Sequence, residues 1–431
     1  MVIRFRRKSQ AEWLTLFILA MPFFFFFFMD LLRFPAMVKY TVDIAWVSLV
    51  LIMIANRIQF PNKQSQKLAL VVGLLFLSTL FGFALHYQSF FYYLWGIRNN
   101  LRFFVFFFAC IFFIKEDGLK YYIKFFHVLF WINIPVVLVQ YVLMGKVQDN
   151  LGGIFGVEKG CNSYMNIFLL IITTYSILRF MSGEEKGLNT VIKCAVSLMI
   201  AVWSELKVFM LELMIVVLLA TVMSRFSFRK LWVILGVAVG ILLAVNLLAQ
   251  LFPHFANWFN LERIVASSGS QTGYASAEDV NRLTAVPIVW ERFLTTWLEK
   301  LFGLGLGNCD YAAFDFLTSP FYLSHRNLHY MWFSSSFLVL ETGIVGLVLY
   351  ILFFVAVFFQ AGKREKEKQA NALYCQLART MSVLCLFMIV YNGSLRTEAG
   401  FMMYFVLALP FIPKAEIAVK EKTIEPMEKV M

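Results

Sequence analysis

Apolar segments long enough to cross a membrane recur along almost the whole chain of 431 residues. Each holds about 18 to 20 mostly apolar residues, which is the length of a helix that crosses a hydrocarbon core about 30 Å thick. Hydrophobic residues make up 61% of the chain and charged residues only 15%, a balance that excludes an ordinary soluble domain. Because backbone groups in lipid must pair within their own segment, these segments are expected to be helices. The sequence therefore predicts an all-α, polytopic integral membrane protein.

The positions of the basic residues predict how the chain crosses the membrane. A net charge of +12 would suggest nucleic acid as the partner of a soluble protein. Here most of the charge lies in short loops, as the positive-inside rule requires, so no nucleic acid partner is expected. The basic N-terminal residues 4–8 precede an apolar segment without a small-residue cleavage site, which favours an uncleaved first span. The pattern predicts about 12 transmembrane helices with both termini in the cytoplasm.

The apolar segments divide the chain into four parts. Residues 1–251 hold about nine spans, residues 252–342 form one long outer-face loop with short helices, and residues 343–413 hold about three more spans. Residues 414–431 form a charged cytoplasmic tail. The apolar stretch 328–360 could hold one span or two, but a turn at Glu341 would place the basic run 363–368 outside. A single span that begins near Gly343 is therefore preferred.

The predicted outer loop holds most of the unusual polar and glycine residues. Arg282 follows Asp279-Val280-Asn281, a pattern typical of a helix start, where free backbone N–H groups favour an anion. The residues that stand out after it are, in chain order, Gly303, Gly305, Gly307, Asn308, His325, Arg326, His329, Glu341 and Gly343. The glycines lack the Lys-Ser/Thr of a nucleotide-binding loop. We expect them to let the backbone approach a neighbouring helix or a glycan closely.

The motifs follow one another in a fixed order: an arginine that opens a helix, then G-x-G-x-G-N, then a His/Asn pair, then E-x-G-x-x-G-L entering a span. This order resembles that of the bacterial O-antigen polymerase and O-antigen ligase family. The motifs lie in the C-terminal third, and the rest of the chain is similar in topology alone. The resemblance implies an integral-membrane glycosyltransferase of the bacterial inner membrane. Its donor would be a polyprenyl-pyrophosphate-linked oligosaccharide on the outer face, and neither metal nor another cofactor would be needed.

Within this resemblance we favour a polymerase that joins repeat units into surface polysaccharide such as O-antigen, capsule or exopolysaccharide. The alternative is O-antigen ligase, which transfers finished glycan to lipid A core. A flippase or other transporter of lipid-linked oligosaccharide remains a second alternative, although it would be expected to show two similar halves. Membrane lipids are expected partners, and a flippase and a chain-length regulator are possible ones.

The resemblance also implies roles for basic residues outside the loop. Arg98 and Arg102 are four residues apart, so one helix face would carry both. Arginine grips phosphate with two hydrogen bonds, so the pair could clamp a pyrophosphate, or it could extend to lipid headgroups. Lys207 stands where family members carry arginine and, with Arg326 and Arg282, could hold the leaving pyrophosphate. A contact between Lys207 and Glu205 is not expected, because residues two apart on a helix do not face each other.

The two histidines are candidates for handling the proton of the acceptor hydroxyl. Imidazole accepts a proton near neutral pH, so His325 or His329 could position or deprotonate that group. A metal site is disfavoured because a third ligand is missing and no H-E-x-x-H sequence is present. Cys161 and Cys309 are interpreted as unpaired thiols. Trp332 could stack on a sugar or lie at the headgroup layer, and the second interpretation is favoured.

Overall fold

The computed structural model describes residues 9–57, 59–223, 228–251 and 279–413. Within these ranges the regular elements are helices and no strand is found, which confirms the predicted all-α class. The first part of the predicted outer loop, residues 252–278, lies outside the described residues. So do the basic N-terminal residues 4–8 and the predicted cytoplasmic tail, residues 414–431.

The α-helices of the described residues are numbered here in chain order. They are α1 (Gln10–Ala20), α2 (Thr41–Ala55), α3 (Lys63–Leu85), α4 (Phe90–Asn100), α5 (Arg102–Phe113), α6 (Glu116–Leu138), α7 (Asn162–Ser182), α8 (Gly187–Trp203), α9 (Lys207–Met223), α10 (Phe228–Leu251), α11 (Ala285–Arg292), α12 (Trp297–Phe302), α13 (Pro320–His325), α14 (Ser334–Lys366), α15 (Ala372–Tyr391) and α16 (Gly400–Ala408).

Several of these helices are long and apolar enough to cross a membrane. Six candidate spans pass by length and composition, and they contain α2, α3, α6, α7, α14 and α15. Helices α4 and α5 pass together as a seventh, and shorter apolar helices include Gly187–Trp203 and Gly400–Phe411. The described part of the chain is therefore that of a membrane protein with several spans, and the count of about 12 stays a prediction.

Arg98 and Arg102 do not lie on one straight helix, so the expectation of a single helix face was wrong. Helices α4 and α5, which carry them, meet at Leu101 with a bend of 51°. Just before the bend, the side-chain amide of Asn100 donates to the carbonyl of Gly96 over 3.1 Å. Side chains that bond to nearby backbone in this way compete with continued helix. Arg98 therefore lies in the last turn of α4 and Arg102 begins α5.

A single helix crosses the stretch that could have held two spans. Helix α14 runs from Ser334 to Lys366, and its one non-helical residue is Gly343, with φ 64° and ψ −168°. It counts as one candidate span, in agreement with the charge argument. The kink divides it into a short segment before Gly343 and a long one after it. The G-x-G-x-G-N motif contacts the chain at this kink.

Aromatic packing joins α5 to the long segment of α14 and to α16. Phe104 of α5 lies edge-on to Phe353 of α14, with ring centroids 4.8 Å apart, and to Tyr404 of α16 at 5.3 Å. Phe103 packs on Phe401 at 4.9 Å. Such pairs contribute about 0.5–1.5 kcal/mol each beyond their buried area. They matter here because packing rather than water exclusion drives helix association in lipid. The result is a close contact between α5, α14 and α16 at the two residues that follow Arg102.

Candidate functional site

The segment 303–309, here called the glycine loop, interlocks with the kink of α14. Gly303 has φ 74° and ψ −169°, and Gly343 has φ 64° and ψ −168°. Both glycines thus combine a positive φ with an extended ψ. A Cβ on Gly303 would meet the backbone of Glu341 and Thr342, and one on Gly343 would meet the backbone of Leu301. This backbone region is essentially restricted to glycine. Two glycines from separate sequence motifs thus form one backbone crossing.

Hydrogen bonds fasten this crossing. The Leu304 N–H donates to the carbonyl of Leu340 over 2.8 Å, and the Gly305 N–H donates to the carbonyl of Glu341 over 3.1 Å. The carboxylate of Glu341, a fully buried residue, accepts from the Cys309 N–H over 3.0 Å. The G-x-G-x-G-N and E-x-G motifs are therefore two halves of one structural unit.

The other side of the glycine loop rests on α4 and the turn before it. Gly307 lies against the carbonyl of Tyr92, and a Cβ on Gly96 would come within 2.6 Å of the Gly307 nitrogen. The Gln88 amide donates to the carbonyl of Leu306 over 2.5 Å. Of the two expectations for these glycines, close approach to a neighbouring helix is confirmed. Gly96 and Gln88 were missed, since neither belongs to a recognisable motif.

Asn308 closes the loop on itself. Its side-chain amide donates to the carbonyl of Leu304 over 2.7 Å, while its N–H donates to the carbonyl of Gly305 over 3.0 Å. Both bonds satisfy loop carbonyls that would otherwise lack a partner. Asn308 therefore holds the shape of the glycine loop.

Arg98 and Arg102 converge on carboxylates despite the helix break between them. Arg98 binds Asp43 of α2 with two nitrogens, over 3.1 and 2.8 Å. Arg102 donates to Asp43 over 3.0 Å and to Glu398 over 2.9 Å, and only 2% of Arg102 is exposed. The Tyr164 hydroxyl donates to the other oxygen of Glu398 over 2.6 Å. The predicted clamp residues thus already hold acidic partners.

A second group of charges lies behind the glycine loop. Asp310 is buried and accepts from the Asn99 amide over 2.6 Å. The same Asn99 accepts from Arg98 over 2.6 Å, which links the two groups. Burial raises the pKa of Asp310. Burial lowers the pKa of Arg396, while the charges of Asp310 and Glu341 act in the opposite direction.

We call the combined group the carboxylate–arginine cluster. It consists of Asp43, Asp310, Glu341 and Glu398 with Arg98, Arg102 and Arg396. Asp43 and Glu398 already pair with Arg98 and Arg102, so these two arginines do not face an incoming phosphate as uncompensated cations. Arg396 stands out, because no hydrogen bond from the described residues reaches its buried Nε and Nη1, and its guanidinium lies 3.3 Å from the Phe337 ring centroid. Its only sequence signal is an arginine in a short turn between two apolar segments.

A second patch brings together His329 and the segment that carries Arg282. The Val280 N–H donates to the carbonyl of Leu328 over 3.1 Å, so the two segments run side by side. His329 contacts the buried carboxylate of Asp279 through Nδ1 at 2.8 Å. Trp332 stacks on the His329 ring with centroids 4.0 Å apart. We call Asp279, Arg282, His329 and Trp332 the histidine patch.

Arg282 precedes α11 in a tight turn, and its side chain points back toward α15. The Asn281 side chain accepts from the N–H groups of Leu283 and Thr284 over 3.0 and 2.9 Å, as expected for a helix start. The Nε of Arg282 donates to the carbonyl of Tyr391 over 3.1 Å, and the guanidinium lies 4.2 Å from the Tyr391 ring centroid. Arg282 is thus ordered by aromatic and backbone contacts at one end of α15.

The remaining candidates lie apart from this patch or have structural contacts. The His325 ring packs on Phe293 and Phe321 at 4.9 and 4.5 Å, and its Nδ1 donates to the carbonyl of Phe321 over 3.1 Å. Arg326 is exposed on the turn between the two histidines. Of the two histidines, His329 is the one that has a carboxylate partner.

The expectation for Lys207 was wrong in one respect. Its Nζ lies 2.8 Å from the Glu205 carboxylate, although the two residues are only two apart. Glu205 has a left-handed backbone with φ 52°, so the chain is not helical there and both side chains can turn to one side. Cys161 and Cys309 are free, as expected. In the part of the chain that the structure describes, no three His, Cys, Asp or Glu residues gather where a metal could bind.

No known family model matches the chain, and no curated protein matches its sequence.

Proposed function

We propose that the protein is a metal-independent membrane glycosyltransferase whose donor is a polyprenyl-pyrophosphate-linked oligosaccharide, acting on the outer face of a bacterial inner membrane. The reaction we favour is polymerisation of repeat units into surface polysaccharide. The histidine patch is its proposed site. The glycine loop and the carboxylate–arginine cluster are its scaffold.

One observation carries this proposal. A histidine backed by a buried carboxylate lies on a segment that is hydrogen-bonded to the segment bearing Arg282. Glycosyl transfer from a lipid pyrophosphate needs a group that accepts the proton of a hydroxyl and a cation that stabilises the leaving group. His329 and Arg282 supply these two functions from positions that the resemblance to the polymerase and ligase family had also marked.

The chemistry assigned to these residues is simple. His329 takes the proton from an acceptor sugar hydroxyl as the oxygen attacks the anomeric carbon of the donor. The bond from that carbon to the pyrophosphate oxygen breaks, and the electron pair leaves with the polyprenyl pyrophosphate. Arg282 donates hydrogen bonds to the pyrophosphate as its charge grows, where a planar guanidinium can contact two oxygens at once.

The role of Arg98 and Arg102 changes in this proposal. Since Asp43 and Glu398 already hold both guanidinium groups, a pyrophosphate would have to displace a carboxylate to reach them. Such an exchange would leave a carboxylate buried without a partner, which is costly. We therefore assign Arg98 and Arg102 to the scaffold. Lys207, paired with Glu205, is not included in the site.

The proposal predicts a specific effect of Arg282→Lys. Lysine keeps the charge but loses the planar fork, so turnover of a lipid-linked repeat should fall by roughly 10²-fold, as when other preorganised donors are removed. The measurement is extension of the repeat by purified protein, followed on a gel. The matched control is Arg292→Lys, because Arg292 is exposed at the end of α11. Wild-type turnover by folded Arg282→Lys protein would remove Arg282 from the mechanism.

A further inference from the structure

The contact between His329 and Asp279 joins an accessible ring to a buried carboxylate. The His329 side chain is 39% exposed and the Asp279 side chain only 1%. A carboxylate can only accept hydrogen bonds, so the proton of this 2.8 Å contact belongs to Nδ1 of the imidazole. The neutral ring is then left with an unprotonated Nε2. Within the described residues no hydrogen bond to this Nε2 is found.

The ring is held on its face as well as at its edge. Trp332 stacks on it with an interplanar angle of 22°. The backbone of His329 is left-handed, with φ 52°, a conformation that is uncommon for residues other than glycine, although asparagine, aspartate and histidine adopt it more often than most. It is kept there by the turn 326–329, in which the His329 N–H donates to the carbonyl of Arg326 over 3.1 Å. Sparsely populated backbone at a polar patch points to a constrained orientation.

We propose that Asp279 is a positioning residue that fixes His329 as its Nδ1–H tautomer, so that Nε2 is the atom that accepts the proton of the acceptor hydroxyl. This inference rests on the proposed function and deepens it. Asp279 does not touch the substrate, and it acts through the histidine alone.

The proton balance follows from this arrangement. The hydroxyl proton moves to Nε2 as the new C–O bond forms and the bond to the pyrophosphate breaks. The ring is then an imidazolium, whose positive charge is stabilised by the Asp279 carboxylate at Nδ1. The proton on Nε2 leaves to water or to the departing pyrophosphate, which restores the starting tautomer. Asp279 keeps its charge throughout.

The test reads the tautomer directly by ¹⁵N NMR of protein labelled at its five histidines. Spectra are recorded about two pH units above the ordinary histidine pKa, where the rings are neutral. His329→Gln identifies the His329 signals by their loss. The wild-type protein should show the Nδ1–H tautomer at His329, and Asp279→Ala should shift it to the Nε2–H form that exposed imidazole prefers. Asp315→Ala, which removes an exposed carboxylate, is the matched control and should change nothing.

The functional arm separates this inference from the function on which it rests. Asp279→Ala should lower turnover of a lipid-linked repeat by roughly 10²-fold, at the lower end of what proton transfer contributes, with little change in KM. If the tautomer changes and turnover does not, or if wild-type His329 is already the Nε2–H form, the inference is overturned. Absence of turnover in the wild-type protein would overturn the proposed function instead, while the tautomer result would still be read.

A second variant guards against loss of folding in Asp279→Ala. Asp279→Asn keeps the shape but cannot make a charge-assisted hydrogen bond to Nδ1. The Nδ1 proton signal, which such a bond moves downfield, should therefore return upfield and turnover should again fall. An unchanged proton signal in Asp279→Asn would contradict the role of Asp279.

Discussion

Replacement of Gly343 by alanine should leave almost no correctly folded protein in the membrane. The new methyl group would meet the backbone of Leu301 and Phe302, which cannot move away as a side chain could. The backbone of Gly343 would also be strained with any other residue, at a cost of about 1–3 kcal/mol. Overpacking adds a further cost of about 1–3 kcal/mol. Together these effects are a large fraction of the stability of a typical domain.

The measurement is the amount and melting temperature of detergent-extracted monodisperse protein. Gly73→Ala is the matched control, since a Cβ at Gly73 in α3 would meet no atom within 4 Å. That change should be neutral or slightly stabilising, because alanine favours helix over glycine by roughly 0.5–1 kcal/mol. If Gly343→Ala accumulates and melts like Gly73→Ala, the interlock of the glycine loop with α14 is not as described.

Arg102→Met should be the most damaging change in the carboxylate–arginine cluster. It removes the partner that Asp43 and Glu398 share, in a position where Arg102 is only 2% exposed. Breaking a buried ion pair from one side costs about 3–5 kcal/mol. Asp43 keeps its bonds to Arg98, but Glu398 is left with Arg98 at 4.0 Å as its cation, so the loss falls mainly on Glu398. Thermal unfolding in detergent at neutral pH measures this loss. Arg292→Met, at an exposed arginine, is the control and should be nearly silent.

The same variant should respond to pH in a defined direction. In the wild-type protein burial acts to raise the pKa of Glu398, but the Arg102 charge and the Tyr164 hydroxyl lower it from 4.5 to about 2. A carboxyl with a lowered pKa contributes stability above its unfolded pKa, and that contribution is lost as pH falls from 4.5 towards about 2. Without Arg102 burial dominates and the pKa of Glu398 rises, so acid should relieve the unpaired charge. The difference in stability between the wild-type protein and Arg102→Met should then narrow as pH falls from neutral. A difference that widens would contradict the ion pair between Arg102 and Glu398.

The helices could be predicted from the sequence because the property that defines a membrane helix is local. A run of apolar residues of sufficient length specifies it without knowledge of its neighbours. The choice of one span over two in the stretch 328–360 was also within reach, since the charges at 363–368 decide between them. The partner of Arg102 was not, because Glu398 lies 296 residues further along the chain.

Site residues could be predicted from the sequence only where the residue type itself indicates the role. Gly303 and Gly343 stand out because glycine is needed where backbones touch, although their contact with each other depends on the fold. Asp279 was interpreted as part of a helix start, and its partner His329 is 50 positions away. Arg98 and Arg102 were correctly paired in space, but the carboxylates that hold them come from α2 and from the turn before α16. Partners brought in by tertiary structure leave no pattern in one sequence.

The most direct test of the account is glycosyl transfer by purified protein in liposomes supplied with a polyprenyl-pyrophosphate-linked oligosaccharide repeat. Wild-type protein without added metal should produce a ladder of longer lipid-linked glycans, and His329→Gln should produce it at a rate about 10²–10⁴-fold lower, since proton transfer contributes that much. His325→Gln should stay close to wild type, because His325 packs between Phe293 and Phe321. A product formed only when lipid A core is added would indicate the ligase instead. Movement of the repeat across the bilayer without any new glycosidic bond, or a wild-type rate for His329→Gln, would contradict the account.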